Sequence, residues 1–210
     1  METYETLGLD KKDKVVVIID EPELHLHPKF QEALAKYLFE LSQKENFQVF
    51  VATHSPIFFK NLFGKTGVKM FVTKKKYGEK AEVIKFDLEE KYSSIPITWG
   101  LINYVAFNYP TVEFHNELYG LLMQKSGKTK ISEFDDYLHG LGISKIKTWI
   151  NDQSGKQSNC TLPTFIRNKI HHPENRAMES IDFSYNELEE SIDLLINTLN
   201  NFIQNDLTEF

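Results

Sequence analysis

The sequence predicts an α/β domain over residues 1–90 followed by an all-α helical bundle over residues 91–210. In the first part, runs of β-branched residues, which favour strands, alternate with apolar residues at helical spacing. Beyond residue 91 the apolar residues recur at helical spacing alone. A length of 210 residues suits one or two domains, and the sequence shows no internal repeat.

The first strand is predicted at Val15-Val-Val-Ile-Ile, five β-branched residues followed by Asp20, Glu21 and Pro22. Such an unbroken apolar run predicts a strand of a parallel sheet that is buried on both faces. Open α/β sheets bind ligands at the carboxyl ends of their strands, where these acids would lie. Asp20 is placed to hold a hard cation such as Mg²⁺, and Glu21 to deprotonate a water that attacks a phosphate. The alternative is a core strand that ends at two acids without a function.

A βαβ unit is predicted next. The helix runs from residue 28 to residue 44, and one of its faces is apolar: Phe30, Leu34, Tyr37, Leu38 and Leu41. The second strand is Phe47–Ala52, and the short connection makes the two strands parallel neighbours. His54 therefore emerges at the same sheet edge as Asp20 and Glu21, where a neutral imidazole can sense or polarise a γ-phosphate.

Two segments together resemble a known family: Ile18-Ile-Asp-Glu-Pro-Glu-Leu-His-Leu-His-Pro28 and Ala52-Thr-His-Ser-Pro56. They look like the second half of an ABC-type ATPase core, as in the RecF, OLD and SMC-like ATPases of DNA repair and phage defence. The resemblance implies ATP and Mg²⁺ as cofactors, with Asp20 as the Walker B magnesium ligand. It also implies Glu21 as the catalytic base and His54 as the switch histidine. Residues 23–28 would be the D-loop, which touches a partner subunit.

The Gly-rich P-loop that cradles phosphates in such ATPases is missing from the sequence. Gly64-Lys65-Thr66 matches only the end of that motif and follows the wrong strand. We therefore expect the chain alone to bind ATP poorly. An N-terminal ATPase half would be supplied in cis, as part of a longer protein, or in trans, as a separate polypeptide.

The first domain is predicted to end with a short helix at residues 57–63 and a hairpin. The hairpin strands are residues 68–73 and 81–86, joined by a lysine-rich turn. We expect this turn to be solvated and to blunt an edge strand, and the alternative is that its lysines touch a phosphate backbone. Helices are then predicted at residues 101–108, from Thr111, at 132–141, at 162–171 and from Ser184. Residues 151–160, rich in Asn, Ser, Gln and Gly, are predicted to be a loop. Ser184 and Glu187 fit a capping box, and the last helix carries a long apolar stripe.

The helical region contains Arg167-Asn-Lys-Ile-His-His172, the second conspicuous cluster of the chain. Arg binds phosphate oxygens bidentately, and His moves protons near neutral pH. Asn168 and His172 share a helix face. The cluster suits metal-independent RNA cleavage by attack of a ribose 2′-OH, with His172 transferring the proton and Arg167 stabilising the phosphorane. The alternative is a polar helix end whose histidines complement the helix dipole.

Arg-x4-His with Asn after the Arg, late in an α-helical bundle, is similar to the HEPN ribonuclease family. The resemblance implies catalytic Arg167 and His172, supported by Asn168, in a composite site formed where two HEPN domains pair. His171 leaves open which imidazole is catalytic. The family also includes inactive domains that only mediate pairing.

Two functions remain from the sequence. The first is an antiviral effector in which a dimeric ATPase gates a HEPN ribonuclease acting on RNA. The second is a DNA-repair or nuclease-regulating ATPase subunit whose helical domain only mediates dimerisation or docking, for which Leu195→Asp is expected to dissociate the complex. With either function, the protein is expected to be a homodimer or a higher oligomer.

The composition of the chain limits its expected partners and its expected location in the cell. The net charge of −6 argues against an extended nucleic-acid surface but allows a local one, and both arginines of the chain, Arg167 and Arg176, lie in the second region. No apolar run is long enough to span a bilayer, so no membrane association is expected. The single cysteine, Cys160, excludes an internal disulfide and fits a cytoplasmic location.

Overall fold

The computed structural model describes residues 14–74, 78, 80–88 and 92–208, with the side chains of these residues except Lys74 and residues 202–208. The chain divides into two compact units, residues 1–86 and residues 87–210. The lysine-rich turn of the predicted hairpin lies largely outside the described residues, as does the side chain of Ile203 in the predicted apolar stripe.

The first unit consists of a βαβα segment followed by a hairpin. Its elements are β1 (Val15–Asp20), α1 (Pro28–Ser42), β2 (Phe47–Ala52), α2 (Pro56–Leu62), β3 (Phe71–Lys74) and β4 (Glu82–Lys85). β1 and β2 pair in parallel, with Val15 opposite Phe47 and Asp20 opposite Ala52. β3 and β4 pair in the antiparallel sense. The predicted βαβ unit and the predicted hairpin are thus both present.

The prediction that β1 is buried on both faces is wrong for this chain. Ile19 packs with Val49 and Val51 against α1 and α2, whereas Ile18 is 78% exposed and Phe50 is 50% exposed on the other face. The reason is that, among the described residues, helices cover only one side of the β1–β2 pair, so burial alternates along both strands.

The apolar face of α1 also differs from the predicted one. Leu38 and Leu41 are buried as expected, but Phe30 and Tyr37 are more than half exposed, and Ala35 takes a fully buried place. Helical spacing groups these side chains on neighbouring positions of the helix but does not fix how wide the buried stripe is. The helix contacts its own unit through a narrower stripe than the sequence predicted.

The second unit consists of five α-helices and a hairpin within the described residues. They are α3 (Trp99–Phe107), α4 (Val112–Lys125), α5 (Ile131–Gly140), β5 (Lys147–Ile150), β6 (Gln157–Cys160), α6 (Leu162–His171) and α7 (Tyr185–Thr208). A short 3₁₀ helix spans Arg176–Met178. α4, α6 and α7 pack together, and α3 packs on α4. Gly100 allows that close crossing, because a Cβ there would lie 2.6 Å from the Cβ of Phe114.

The predicted helix caps at Thr111 and Ser184 are both confirmed by hydrogen bonds. Thr111 caps α4 by accepting the backbone N–H of Phe114 at 3.2 Å. At the start of α7, the Ser184 hydroxyl accepts the N–H of Glu187, and the Glu187 carboxylate accepts the N–H of Ser184. The stripe of α7 is buried within its own unit at Leu188, Ile192, Leu195, Ile196 and Leu199.

The second unit is not purely α-helical, which corrects the predicted loop at residues 151–160. β5 and β6 form an antiparallel hairpin in which Lys147 lies opposite Cys160 and Ile150 opposite Gln157. The strands are four residues long and β6 is largely polar, so neither gave a strand signal. The Trp149 ring packs edge-on against Phe165 of α6, which anchors the hairpin to the helices.

None of the helices in the described part of the chain combines the length and the apolar character needed to cross a membrane.

Candidate functional site

The carboxyl edge of the β1–β2 pair brings together two of the predicted residues. The Oε1 atom of Glu21 lies 3.6 Å from the Nε2 atom of His54. Glu21 has a φ of 45°, unusual for a residue with a side chain, and its N–H donates to the Ala52 carbonyl at 2.8 Å. The His54 side chain is 87% exposed, so the pair contributes little to stability and its geometry leaves both groups accessible to a ligand.

Asp20, the third predicted residue of this edge, ends β1 on the exposed face of the strand pair. Among the described residues, no three His, Cys, Asp or Glu side chains are arranged to hold a metal ion. Asp20 would thus be a single protein ligand to Mg²⁺, an ion that commonly takes one or two carboxylates and completes its shell with phosphate and water oxygens. Carboxylate chemistry fits that ion, and the roles of Asp20, Glu21 and His54 remain predictions.

Glu23 is a residue of this edge that sequence analysis placed only in the predicted D-loop. Its Oε1 atom accepts the backbone N–H of His54 at 2.8 Å. Its Oε2 atom is buried and has no hydrogen-bond partner within the described part of the chain. Glu23 therefore ties the loop after β1 to the loop after β2. A third acid in the Asp-Glu-Pro-Glu run was the available signal, but its partner 31 residues away was not predictable from spacing.

A cleft of about 340 Å³ adjoins this edge. Its polar lining comes from Glu21, Glu23, Gln31, His54 and Ser55. Ser55 begins α2: its hydroxyl donates to Gln31 Oε1 at 2.7 Å and accepts the N–H of Ile57 at 3.2 Å. Two carboxylates would repel a phosphate, so an anion could approach this edge only together with a cation.

The second predicted cluster lies at the C-terminal end of α6, whose observed bounds equal the predicted ones. The Nη1 atom of Arg167 donates to Oδ1 of Asn168 at 3.1 Å. Arg167 and Asn168 are partly buried, whereas His171 and His172 are exposed. Although the residue is largely exposed, the small loss of hydration of the His171 ring lowers its pKa, and the positive charges of Arg167 and His172 lower it further. The three predicted catalytic residues thus occupy one helix end, but their roles remain predictions.

His172 has left the helix, as the following proline predicts. Its φ of −128° and ψ of 57° are non-helical, and its N–H donates to the Asn168 carbonyl at 2.9 Å. Its Nδ1 atom lies 3.2 Å from Oε1 of Glu174, and its ring lies 6.1 Å from that of Trp149.

A buried polar cluster that sequence analysis missed lies between α4, α6 and α7. His115 is fully buried, and burial lowers its pKa to about 4. Its Nε2 atom lies 3.0 Å from Oγ of Ser191, while its Nδ1 atom has no hydrogen-bond partner within the described residues. The Tyr119 hydroxyl lies 3.1 Å from Oγ1 of Thr164. The signal was a histidine beside the inward-facing Phe114.

Comparison with known proteins supports an ATPase relationship for the first unit. Residues 3–59 match the model of the AAA ATPase domain family. The chain is 48% identical over 58 residues to the OLD nuclease of Thermus scotoductus, an alignment that covers 27% of the chain and 10% of that protein. It is 42% identical over 45 residues to protein ea59 of Escherichia phage lambda, covering 21% of the chain and 9% of that protein.

A third relative aligns over more of the chain. The endonuclease GajA of Bacillus cereus is 28% identical over 166 residues, covering 70% of the chain and 28% of that protein. Because the first unit is shorter than this alignment, the similarity extends into the second unit. The chain therefore spans about a tenth of the first two relatives and less than a third of the third. No solved structure matches the chain.

Proposed function

We propose that this chain is part of an ATP-hydrolysing defence effector in which an AAA- and OLD-like ATPase core gates a HEPN-type ribonuclease. One observation carries the ATPase part: Glu21 and His54 meet at 3.6 Å where two parallel strands end. This part is also supported by the AAA ATPase domain match over the same residues, which implies use of a nucleotide.

Each residue of the edge has a distinct role in this proposal. Asp20 would hold the Mg²⁺ that, when bound, neutralises charge on the nucleotide phosphates. Glu21 accepts the proton of the attacking water, and His54 contacts the phosphate that leaves. Glu23 holds the His54 backbone in place. The phosphate-cradling half, in cis or in trans, and a second copy of the chain would complete the site.

The nuclease part rests on the α6 cluster. A permanently charged guanidinium and exposed imidazoles at one helix end provide an oxyanion partner and a proton acceptor. Two relatives are named as a nuclease and an endonuclease, which points to nucleic-acid cleavage in the same group of proteins. Cleavage would proceed without a metal: the ribose 2′-oxygen attacks the adjacent phosphorus, and the bond from phosphorus to the 5′-oxygen breaks.

The test is incubation of the chain, purified as a complex from its native host, with total RNA in the presence of ATP and Mg²⁺. We expect products that end in a 2′,3′-cyclic phosphate and a 5′-hydroxyl. Arg167→Ala should reduce cleavage by about 100-fold or more, because it removes the charge that stabilises the phosphorane. Arg176→Ala, the other arginine of the chain and exposed, is the matched control. Equal cleavage by both variants would refute the nuclease role.

In the alternative function, the helical domain only mediates dimerisation or docking, and Leu195 was expected to lie in the contact surface. Leu195 has no exposed area, because it lies in the core of its own unit. Leu195→Asp would therefore unfold the helical unit rather than separate two subunits, and a pairing surface would have to be formed by other residues.

A further inference from the structure

The side chain of Gln31 bridges the two loops that form the carboxyl edge of the β1–β2 pair. Gln31 lies in the first turn of α1 and is partly buried. Its Nε2 atom donates to the Leu26 carbonyl, in the loop after β1, at 3.0 Å. Its Oε1 atom accepts the Ser55 hydroxyl, in the loop after β2, at 2.7 Å. One side-chain amide thus binds both loops.

The orientation of this amide follows from the other bonds of Ser55. The Ser55 hydroxyl accepts the backbone N–H groups of Ile57 and Phe58, which occupies both of its lone pairs. Its proton is left to donate, and the acceptor on the Gln31 amide is the oxygen. The amide nitrogen then faces the Leu26 carbonyl, which can only accept. A carboxamide therefore supplies the donor and the acceptor that the two loops require, whereas a carboxylate supplies acceptors alone.

A second bridge between the same loops lies next to the first. His54, the residue before Ser55, donates its backbone N–H to the Glu23 carboxylate at 2.8 Å. Leu26 donates its own N–H to the Glu23 carbonyl at 2.9 Å, so the two bridges also meet in the loop after β1. Together with the Gln31 amide, these bonds close a ring that joins the two loops. Because the partners in a ring hold one another at contact distance, loss of one bridge weakens the other.

The backbone of the loop after β1 depends on such support. Glu21 has a φ of 45° and His25 a φ of 63°, a left-handed conformation that residues with a Cβ rarely adopt. Strained conformations persist only where surrounding contacts hold them. The Glu21 side chain, whose Oε1 atom lies 3.6 Å from Nε2 of His54, extends from one of these two residues. The distance between Glu21 and His54 therefore depends on how firmly the two loops are joined.

We propose that Gln31 is a positioning residue for ATP hydrolysis, an inference that rests on the proposed ATPase function. By bridging the two loops, its amide holds the Glu21 carboxylate beside the His54 imidazole. Gln31 also lines the cleft at this edge, so direct contact with the nucleotide is the competing role. The two roles differ in their kinetics, because misplaced catalytic groups lower kcat, whereas loss of a substrate contact raises KM.

Steady-state ATP hydrolysis by the complex purified from its native host tests the inference. Gln31→Met keeps the length of the side chain but removes both of its bonds. We expect it to lower kcat about tenfold or more, with KM for ATP within about twofold of the wild type. Gln43→Met, at an exposed glutamine that follows the same helix and bonds to the adjacent Ser42, is the matched control and should leave kcat unchanged. Equal kcat values in the two variants, or a raised KM with unchanged kcat in Gln31→Met, would overturn the inference.

Hydrogen–deuterium exchange of the full chain without nucleotide separates failure of the inference from failure of the proposed function. The His54 N–H is bonded to Glu23 rather than to Gln31, so its exchange reports whether the two bridges act together. It should speed up about fivefold or more in Gln31→Met and stay unchanged in Gln43→Met. If Gln31→Met leaves it unchanged, the positioning role is wrong, whatever the ATPase assay shows.

If the wild-type complex hydrolyses no ATP, the proposed ATPase function fails, and the exchange measurement still decides whether Gln31 restrains His54. Unchanged circular dichroism of both variants serves as the folding control.

Discussion

The imidazole of His115 lies 3.0 Å from the Ser191 hydroxyl, and both side chains are fully buried where α4 packs against α7. The contact joins the two helices through residues that lie 76 positions apart in the chain. Because burial disfavours the protonated form of this histidine, the stability of the fold depends on pH.

We predict that the second unit loses stability on mild acidification through His115. Its pKa of about 4 in the fold lies below the value near 6.5 of an unfolded chain. The unfolded state therefore binds more protons between these values, so this contribution is complete above pH 6.5 and is lost as the pH falls toward 4. The loss should reach about 2 kcal/mol by pH 5.

Urea unfolding at pH 7 and pH 5 measures this effect. His115→Leu should remove most of the difference between the two pH values, whatever its absolute stability. His139→Leu, at an exposed site in α5, should keep it. A pH dependence that is unchanged in His115→Leu would show that other groups cause it.

We predict that the Asp135 carboxylate stabilises the start of α6. Burial alone would raise its pKa, but hydrogen bonds from Lys145 and Thr161 outweigh burial and hold the pKa below its usual value. It accepts the Thr161 N–H at 2.9 Å and the Thr161 hydroxyl at 2.8 Å. Asp135→Ala should cost about 3 kcal/mol of unfolding free energy, because these donors lose their partner.

Asp136, the next residue in the chain, supplies the control when the free energy of unfolding is measured. Asp136 is 74% exposed and also contacts Lys145, at 2.6 Å. Asp136→Ala should stay within about 0.5 kcal/mol of the wild type, as exposed ion pairs usually do. Equal losses in the two variants would mean that the buried bonds of Asp135 to Thr161 have no special weight.

Glu23 should hold the loop that carries His54. Glu23→Gln keeps an oxygen that can accept the His54 N–H, whereas Glu23→Ala removes it. Hydrogen–deuterium exchange of the His54 amide should speed up about tenfold in the alanine variant and much less in the glutamine variant. If exchange is already fast in the wild type, or is unchanged in Glu23→Ala, the bond does not restrain the loop.

The two faces of β1 should respond in opposite ways to charge. Ile18→Lys places an ammonium on the exposed face and should change stability by no more than about 0.5 kcal/mol. Ile19→Lys, one residue further, forces the same group into the packed face and should cost several kcal/mol. Thermal unfolding of both variants measures this contrast, and a severe loss in Ile18→Lys would show that its face is covered.

Local signals predicted much of the fold. The β1 run, the bounds of α6 and the capping box at Ser184 follow from residues that are neighbours in the sequence. The meeting of Glu21 with His54 followed from one topological rule, that a short βαβ crossover makes neighbouring strands parallel.

The rest depends on contacts between distant residues. A run of β-branched residues occurs both in strands covered on two faces and in strands covered on one face. The run therefore cannot show that the face carrying Ile18 is exposed. The four-residue strands at β5 and β6 are held by Trp149 against Phe165 rather than by their own periodicity. The bond from Glu23 to the His54 backbone likewise has no signature in spacing.

Gating of RNA cleavage by ATP turnover can be measured by comparing the RNA cleavage rate of the native complex with and without ATP. The wild type and Glu21→Gln are compared, with Glu32→Gln at an exposed site of α1 as the control. We predict that ATP changes the cleavage rate of the wild type and of Glu32→Gln severalfold or more, and that Glu21→Gln loses this response while still binding RNA. Cleavage that is identical with and without ATP in all three proteins would contradict this gating.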